Sequence, residues 1–172
     1  VTINGFDRIN ELLGYSYGNG VLKKVGMHFK ELFHLKGNVY KGRAEDFLIV
    51  CESMPYKHAM FLATEILNAP EIIKKQLNGK VTFDLSIGID FVHFNQNRSL
   101  EELLTSVTHA RNTAKENGTN KICFYNESTH LKKKEIQSLE EDLVDVVEKK
   151  GFNIVYQPFY EIERGQLSGA EA

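Results

Sequence analysis

Val39-Tyr40-Lys41-Gly42-Arg43-Ala44-Glu45-Asp46-Phe47-Leu48-Ile49-Val50-Cys51 decides how the chain is read. Val39 to Arg43 and Phe47 to Cys51 form two short strands around a tight turn, a hairpin that carries an acid and an arginine at its tip. Before it, Val1 to Asn4 reads as the tail of a strand. Phe6 to Leu13 has helical spacing, with Gly14 and Gly18 as punctuation. Val21, Leu22, Val25, Phe29, Leu32 and Phe33 recur at three- and four-residue intervals, which predicts a second amphipathic helix ending at Gly37-Asn38. After the hairpin, Pro55 opens a helix carrying Met60, Phe61, Ala63, Ile66 and Leu67. Asn68 to Asn78 is irregular or a short helix. Val81 to Ile89 alternates as a half-buried strand does, Leu100 to Asn117 is a helix stopped by Gly118, and Lys121 to Tyr125 is a last strand. The order β-α-α-β-β-α-β-α-β predicts an α+β fold: a central, mostly antiparallel sheet with flanking helices. We expect one covered face and a ferredoxin-like core with added elements.

The chain has 172 residues, enough for one ordinary domain and an appendage. Its net charge of −2 gives no electrostatic case for nucleic acid. No apolar run approaches a membrane span and no signal-peptide pattern is present, so direct membrane contact is not expected and the location is read as cytoplasmic. A chain opening Val1-Thr2-Ile3 is expected to be a trimmed piece, with room upstream for a sensor or anchor. Cys51 and Cys123 lie in apolar runs and read as reduced core thiols. The six histidines form no metal pair, and no serine-nucleophile motif, Gly-rich phosphate loop or Cys-x-x-Cys occurs.

Thr129 to Lys150 is polar, with Ile136, Leu139, Leu143 and Val146 on a narrow stripe. It predicts a linker helix of roughly 30 Å over residues 129–151. Packing on its own domain and transmitting orientation or dimerising are both open for it. Residues 152–172 then begin a new strand.

Several segments together resemble a GGDEF (diguanylate cyclase) domain over about residues 1–128. Phe6-x-x-Ile9-Asn10 and Gly14-x-x-x-Gly18 match the family's first helix and loop. The hairpin turn Arg43-Ala44-Glu45-Asp46-Phe47 stands at its signature. Ser86-Ile87-Gly88-Ile89 matches its fourth strand, and Ala114-Lys115-x-x-Gly118-x-Asn120 the end of its last helix. The resemblance implies a nucleotide-cyclase-like fold. In an active member, two subunits face each other, each with a GTP, and divalent ions neutralise the triphosphate and activate the partner's 3′-hydroxyl.

The resemblance also implies that this chemistry is altered. The metal-binding Asp of the first strand falls on Thr2, a neutral hydroxyl, and the next acidic position on Asn4. Glu45 matches the hairpin acid, so one of two carboxylates remains and Mg2+ stays open only as a weakly held cofactor. Metal stabilisation contributes several kcal/mol, and about 1.36 kcal/mol is tenfold in rate, so a loss of several orders of magnitude is expected. Arg43-Ala44 replaces Gly-Gly: Ala44 penalises a positive-φ backbone, and Arg43 either blocks the nucleotide or binds its phosphates. Asp46-Phe47 stands for Glu-Phe and reads as structural. Asn10 matches a base-contacting Asn. Asn19 replaces an Asp and mismatches one guanine contact, a loss of about one to two decades in affinity. Lys115 matches a triphosphate-contacting Lys, or compensates the helix dipole. Thr119 stands at the companion Arg. The family's inhibitory Arg-x-x-Asp is replaced by His34-Leu35-Lys36-Gly37, so no product-inhibition site is expected there.

Tyr156-Gln157-Pro158-Phe159-Tyr160 and Gly169-Ala170-Glu171-Ala172 resemble the opening of an EAL (cyclic-di-GMP phosphodiesterase) domain, stopping within a motif. By that match Glu171 is a metal ligand and Gln157 lies near the substrate phosphate; alone the piece is either a stray hairpin or without fixed structure. The resemblance implies a fragment of a bacterial tandem GGDEF-EAL protein. Its first domain has no catalytic residue set of its own and regulates the adjoining phosphodiesterase domain, with GTP as ligand. The alternatives are a purely structural or homodimerising module that binds no nucleotide, and a surviving cyclase whose metals rest on Glu45 and the Ile3 carbonyl.

Overall fold

The computed structural model describes residues 1–79, 81–92, 96–128, 143–144, 147–148 and 155–171. The chain divides into two compact units, Val1–Asn126 and Glu127–Ala172. In the first unit the elements run β1 (Thr2–Asn4), α1 (Phe6–Leu13), α2 (Tyr15–Leu32), β2 (Asn38–Lys41), β3 (Phe47–Val50), α3 (Tyr56–Leu67), α4 (Ala69–Gln76), β4 (Asp84–Ile89), α5 (Leu100–Glu116) and β5 (Lys121–Phe124). The order is the one the hydrophobic spacing predicts, with one helix, α4, added after α3. Several boundaries move, among them the end of α2, at Leu32 rather than Gly37, and of β2, at Lys41 rather than Arg43. Helix α2 begins at Tyr15 and runs through Gly18 and Gly20, so Gly18 is not a break. Strand β4 begins at Asp84 rather than Val81. Ala69–Gln76 is a regular helix, with Pro70 in the first turn, where a missing N–H costs nothing, and Lys74 and Lys75 at its negative end.

Strand β1 pairs antiparallel with β4, and β4 pairs parallel with β5. Strands β2 and β3 form an antiparallel hairpin with Lys41 opposite Phe47. The hairpin joins β1 through an isolated Thr2–Asp46 bridge and through the Phe47 N–H, which donates to the Val1 carbonyl at 2.8 Å. Among the described residues every strand pairing but β4–β5 is antiparallel.

The core gathers Ile3, Phe29, Phe47, Leu62, Ile73, Leu85 and Ile87 with their neighbours from α1 to α4. Leu85, Ser86 and Ile87 are buried in succession, so β4 is covered on both faces, against the expectation of one. The second cover is α5. A Cβ on Gly88 would lie 2.3 Å from the Arg111 nitrogen and 2.4 Å from the Val107 oxygen, so helix backbone rests directly on the strand. The buried small residues Ser106, Ala110 and Ala114 permit that approach. Ser99 caps α5 in a capping box: the Glu102 N–H donates to Ser99 Oγ at 3.2 Å and the Ser99 N–H to Glu102 Oε2 at 2.6 Å. Hydrogen bonds from the Ser99 N–H and, less strongly, its hydroxyl hold the Glu102 carboxyl below its usual pKa.

In the second unit, β6 (Gln157–Glu161) and β7 (Gln166–Glu171) form an antiparallel hairpin with an irregularity at Phe159/Tyr160. The helix expected over 129–151 lies outside the described residues save 143–144 and 147–148. Among the described residues no helix is long and apolar enough to cross a membrane.

Candidate functional site

Two places in the first unit carry the residues singled out by sequence. The first is the junction of α1 and α2. Gly14, at φ 84°, turns the chain between the helices, where a side chain would be strained. The helices meet at Gly18, which is buried. A Cβ there would lie 2.0 Å from Asn10 Oδ1 and 3.2 Å from the Phe6 ring, so glycine makes room for the Asn10 amide. Asn10 is half-buried at this crossing, and Asn19, the residue after Gly18, is exposed. Both base-contact candidates thus lie at this junction, one on each helix, and Gly18 has a packing role that its reading as punctuation missed.

The second place is the hairpin turn. Asp46 N–H donates to the Arg43 carbonyl and Gly42 N–H to the Asp46 carbonyl, each at 2.8 Å. Ala44 adopts φ 41°, the left-handed conformation a glycine would take without penalty. Arg43 is exposed and Glu45 half-buried. Phe47 anchors the turn: its ring meets Phe29 edge-on at 5.4 Å and lies against Gly26, whose missing side chain leaves the space. Thr2 is 4% exposed, and Asn4 donates from Nδ2 to Ser86 Oγ at 2.9 Å.

Sequence reading missed two cations here. Lys41 Nζ donates to the carbonyls of Ala44, Gly42 (3.1 Å) and Asp46 (3.3 Å), and sits 5.3 Å from the Phe47 ring centroid. Arg111 of α5 donates from NH1 to Asp46 Oδ2 at 2.7 Å and ties the turn to that helix. Asp46 Oδ1 is buried without a hydrogen-bond partner among the described residues. The available signal for Arg111 was its spacing, four residues before Lys115 on one helix face. Lys41 carried none, because only the closed turn aims three carbonyls at one ammonium.

Lys115 is exposed near the end of α5, as is Thr119 beyond it. The side chains of Asn19, Arg43, Glu45 and Lys115 make no hydrogen bond or ion pair with other described residues. They are available to a ligand. Asn120, by contrast, is structural: its Oδ1 accepts from the Leu85 N–H at 2.9 Å and its Nδ2 donates to Asp84 Oδ1 at 2.8 Å. Gln157 and Glu171, the candidates of the second unit, face each other as cross-strand partners on the exposed hairpin. Leu35, in the segment replacing the inhibitory motif, is 94% exposed at φ 63°.

A divalent ion needs several hard oxygen donors. The first-strand position offers only a buried neutral hydroxyl, and Arg111 holds one oxygen of Asp46. A divalent ion about 5 Å from a guanidinium would meet a repulsion of roughly 7 kcal/mol at an effective dielectric near 20. Among the described residues no group of three or more acidic, His or Cys side chains could hold a metal. The donor set does not fit Mg2+.

A family model described as "Diguanylate cyclase, GGDEF domain" matches residues 1–121. The bifunctional diguanylate cyclase/cyclic di-GMP phosphodiesterase MucR of Pseudomonas aeruginosa is 23% identical over 99% of this chain and 25% of its own length. The diguanylate cyclase DgcM of Escherichia coli is 29% identical over 68% of this chain and 28% of its own. The chain therefore spans about a quarter of the length of these curated relatives. Among solved structures, an EAL/GGDEF domain protein from M. capsulatus superposes with a TM-score of 0.61 at 22% identity, covering 73% of this chain and 81% of that one. The active GGEEF domain of a diguanylate cyclase from Vibrio cholerae gives 0.59 at 21%, covering 73% and 80%. At these identities the superpositions establish the fold.

Proposed function

The chain belongs to the GGDEF diguanylate cyclase domain family, and from that premise we propose that it is a non-catalytic regulatory member of a cyclic-di-GMP signalling protein. It takes GTP through Asn10, Asn19 and Lys115, with Arg43 nearby, and synthesises nothing. The observation that carries this is the donor set: Thr2 is a buried hydroxyl at the family's metal position, while Arg111 occupies the carboxylate of Asp46. The unpaired polar side chains at the α1–α2 junction and on α5 support retained ligand binding.

The EAL resemblance of residues 152–172 supports an adjoining phosphodiesterase domain in the parent protein, in the cytoplasm, as does likeness over nearly the whole chain to a bifunctional Pseudomonas protein. Gln157 and Glu171 would belong to that domain's site. Two such chains pairing as a homodimer is compatible with the reading.

Calorimetric titration with GTP, using ATP as control, tests the binding half. Micromolar, GTP-selective heat is the expected result. A product assay with GTP and Mg2+ tests the catalytic half, and clear cyclic-di-GMP formation by a longer chain overturns it. The second reading, a scaffold that binds no nucleotide, is favoured by one feature: Lys41 and Arg111 fill the turn. Silence at millimolar GTP would put it first.

A further inference from the structure

Four oxygens of the hairpin turn already face a cation that belongs to the chain. Lys41 gathers the carbonyls of Gly42, Ala44 and Asp46, and the Phe47 ring beneath it favours a positive charge at that point. The Arg43 carbonyl accepts from the Asp46 N–H. Arg111 NH1 holds Asp46 Oδ2, while its Nε and NH2 donate to Asn112 Oδ1 at 3.3 and 2.9 Å, which fixes the plane of the guanidinium. Among the described residues the carboxylate of Glu45 and the buried Oδ1 of Asp46 take no partner, and Oδ1 shares its carboxylate with the Arg111 charge.

Arg111 and Lys115 stand one helical turn apart and share a face of α5. The contact with Asp46 directs that face toward the turn. A guanidinium has five N–H donors, and the three contacts named leave one on each terminal nitrogen. That pair matches the fork geometry by which arginine binds two oxygens of a phosphate. The neighbouring Lys115 ammonium is exposed and unpaired.

We infer that protein cations take the place of a divalent ion in this domain: the turn binds no metal, and a phosphate-bearing ligand is met directly by Arg111 and Lys115. The phosphate half rests on the nucleotide reading proposed above; the metal half does not. Arg111 is thereby assigned as a binding residue of this chain's site. Its consequence is nucleotide binding that chelators leave untouched.

Manganese serves as the probe for the metal half, with the free ion followed by its electron paramagnetic resonance signal. The intact chain is expected to give no saturable binding below about 1 mM, the weak end of the protein range for hard cations. Removing the guanidinium in Arg111→Leu frees Asp46 beside Glu45 and should tighten Mn2+ binding by about tenfold or more, whereas Arg111→Lys, which keeps the charge, should not. Circular dichroism checks that each variant folds, and Arg111→Gln replaces the leucine variant should that one fail. Micromolar Mn2+ binding by the unaltered chain, or no gain on removing Arg111, overturns the metal half.

For the phosphate half, GTP should raise the melting temperature equally in EDTA and in Mg2+, and Arg111→Leu should abolish the rise in EDTA. A rise seen only with Mg2+ overturns the inference and leaves the nucleotide reading standing. No rise in either condition overturns the nucleotide reading and the phosphate half together, while the Mn2+ result still decides the metal half.

Discussion

Among the described residues two antiparallel hairpins of similar length differ in what holds them. In β2–β3 the register ends at Lys41–Phe47, and Phe47 is 5% exposed against Phe29. That hairpin is bonded to Val1, bridged to Thr2 and ion-paired to α5 through Asp46–Arg111. In β6–β7 nearly every described side chain is exposed, Phe159 at 47% and Tyr160 at 64%. A two-stranded ribbon is marginal by itself, and burial against a third element is what stabilises it. The turns invert the usual residue choice. The anchored hairpin sets an alanine at φ 41°, and the exposed one sets Gly165 at φ 61°. Packing around the first turn holds a conformation that its sequence disfavours; in the second the sequence itself supplies it.

Removing the anchor should break the contrast most. Phe47→Ala empties a core site and should cost about 3–5 kcal/mol, whereas Phe159→Ala should stay within about 0.5 kcal/mol. Hydrogen exchange of the Leu85 and Ile87 amides in β4 reads both variants. Equal effects would mean that the two hairpins are anchored alike. Next in size is the tie to α5. Arg111→Leu should cost about 1 kcal/mol, since the pair is partly exposed, and should speed exchange at the Asp46 amide without altering β6–β7. Smallest are the turns. Gly165→Ala has open space around it, so only backbone strain acts, and it should destabilise its hairpin by about 1 kcal/mol. Ala44→Gly should do the reverse, raising stability by up to about 1 kcal/mol after the added freedom of the unfolded chain is subtracted. A loss of stability in Ala44→Gly would show that the alanine side chain is held by contacts and not merely tolerated.

The element order was legible because each element repeats a simple spacing. Val21, Val25 and Phe29 fall on one helical face and are all buried; Leu85 and Ile87 alternate with Ser86 as a strand requires. Resemblance named the candidates Thr2, Asn10, Asn19, Glu45 and Lys115 one residue at a time. The site was not legible as a set of contacts. Gly18 read as a helix break because glycine is a poor helix former, yet close packing on Asn10 outweighs the propensity cost of about 1 kcal/mol. The double-sided burial of β4 was hidden because Ser86 and Gly88 look like a solvent face in an alternating pattern. They are small because α5 lies on them.

Sequence alone therefore determined most of the order of helices and strands, the family likeness, and that position 2 carries a neutral hydroxyl, since each depends on residue type and short spacing. Tertiary structure decided which charges meet. Arg111 and Asp46 are 65 residues apart and come within 2.7 Å only because α5 crosses the sheet at Gly88 beside the hairpin. Lys41 finds three carbonyls only once the turn has closed. Coulomb and hydrogen-bond energies fall off within a few ångströms, so whether this turn holds a metal ion or the chain's own cations is set by the packing that brings those groups together.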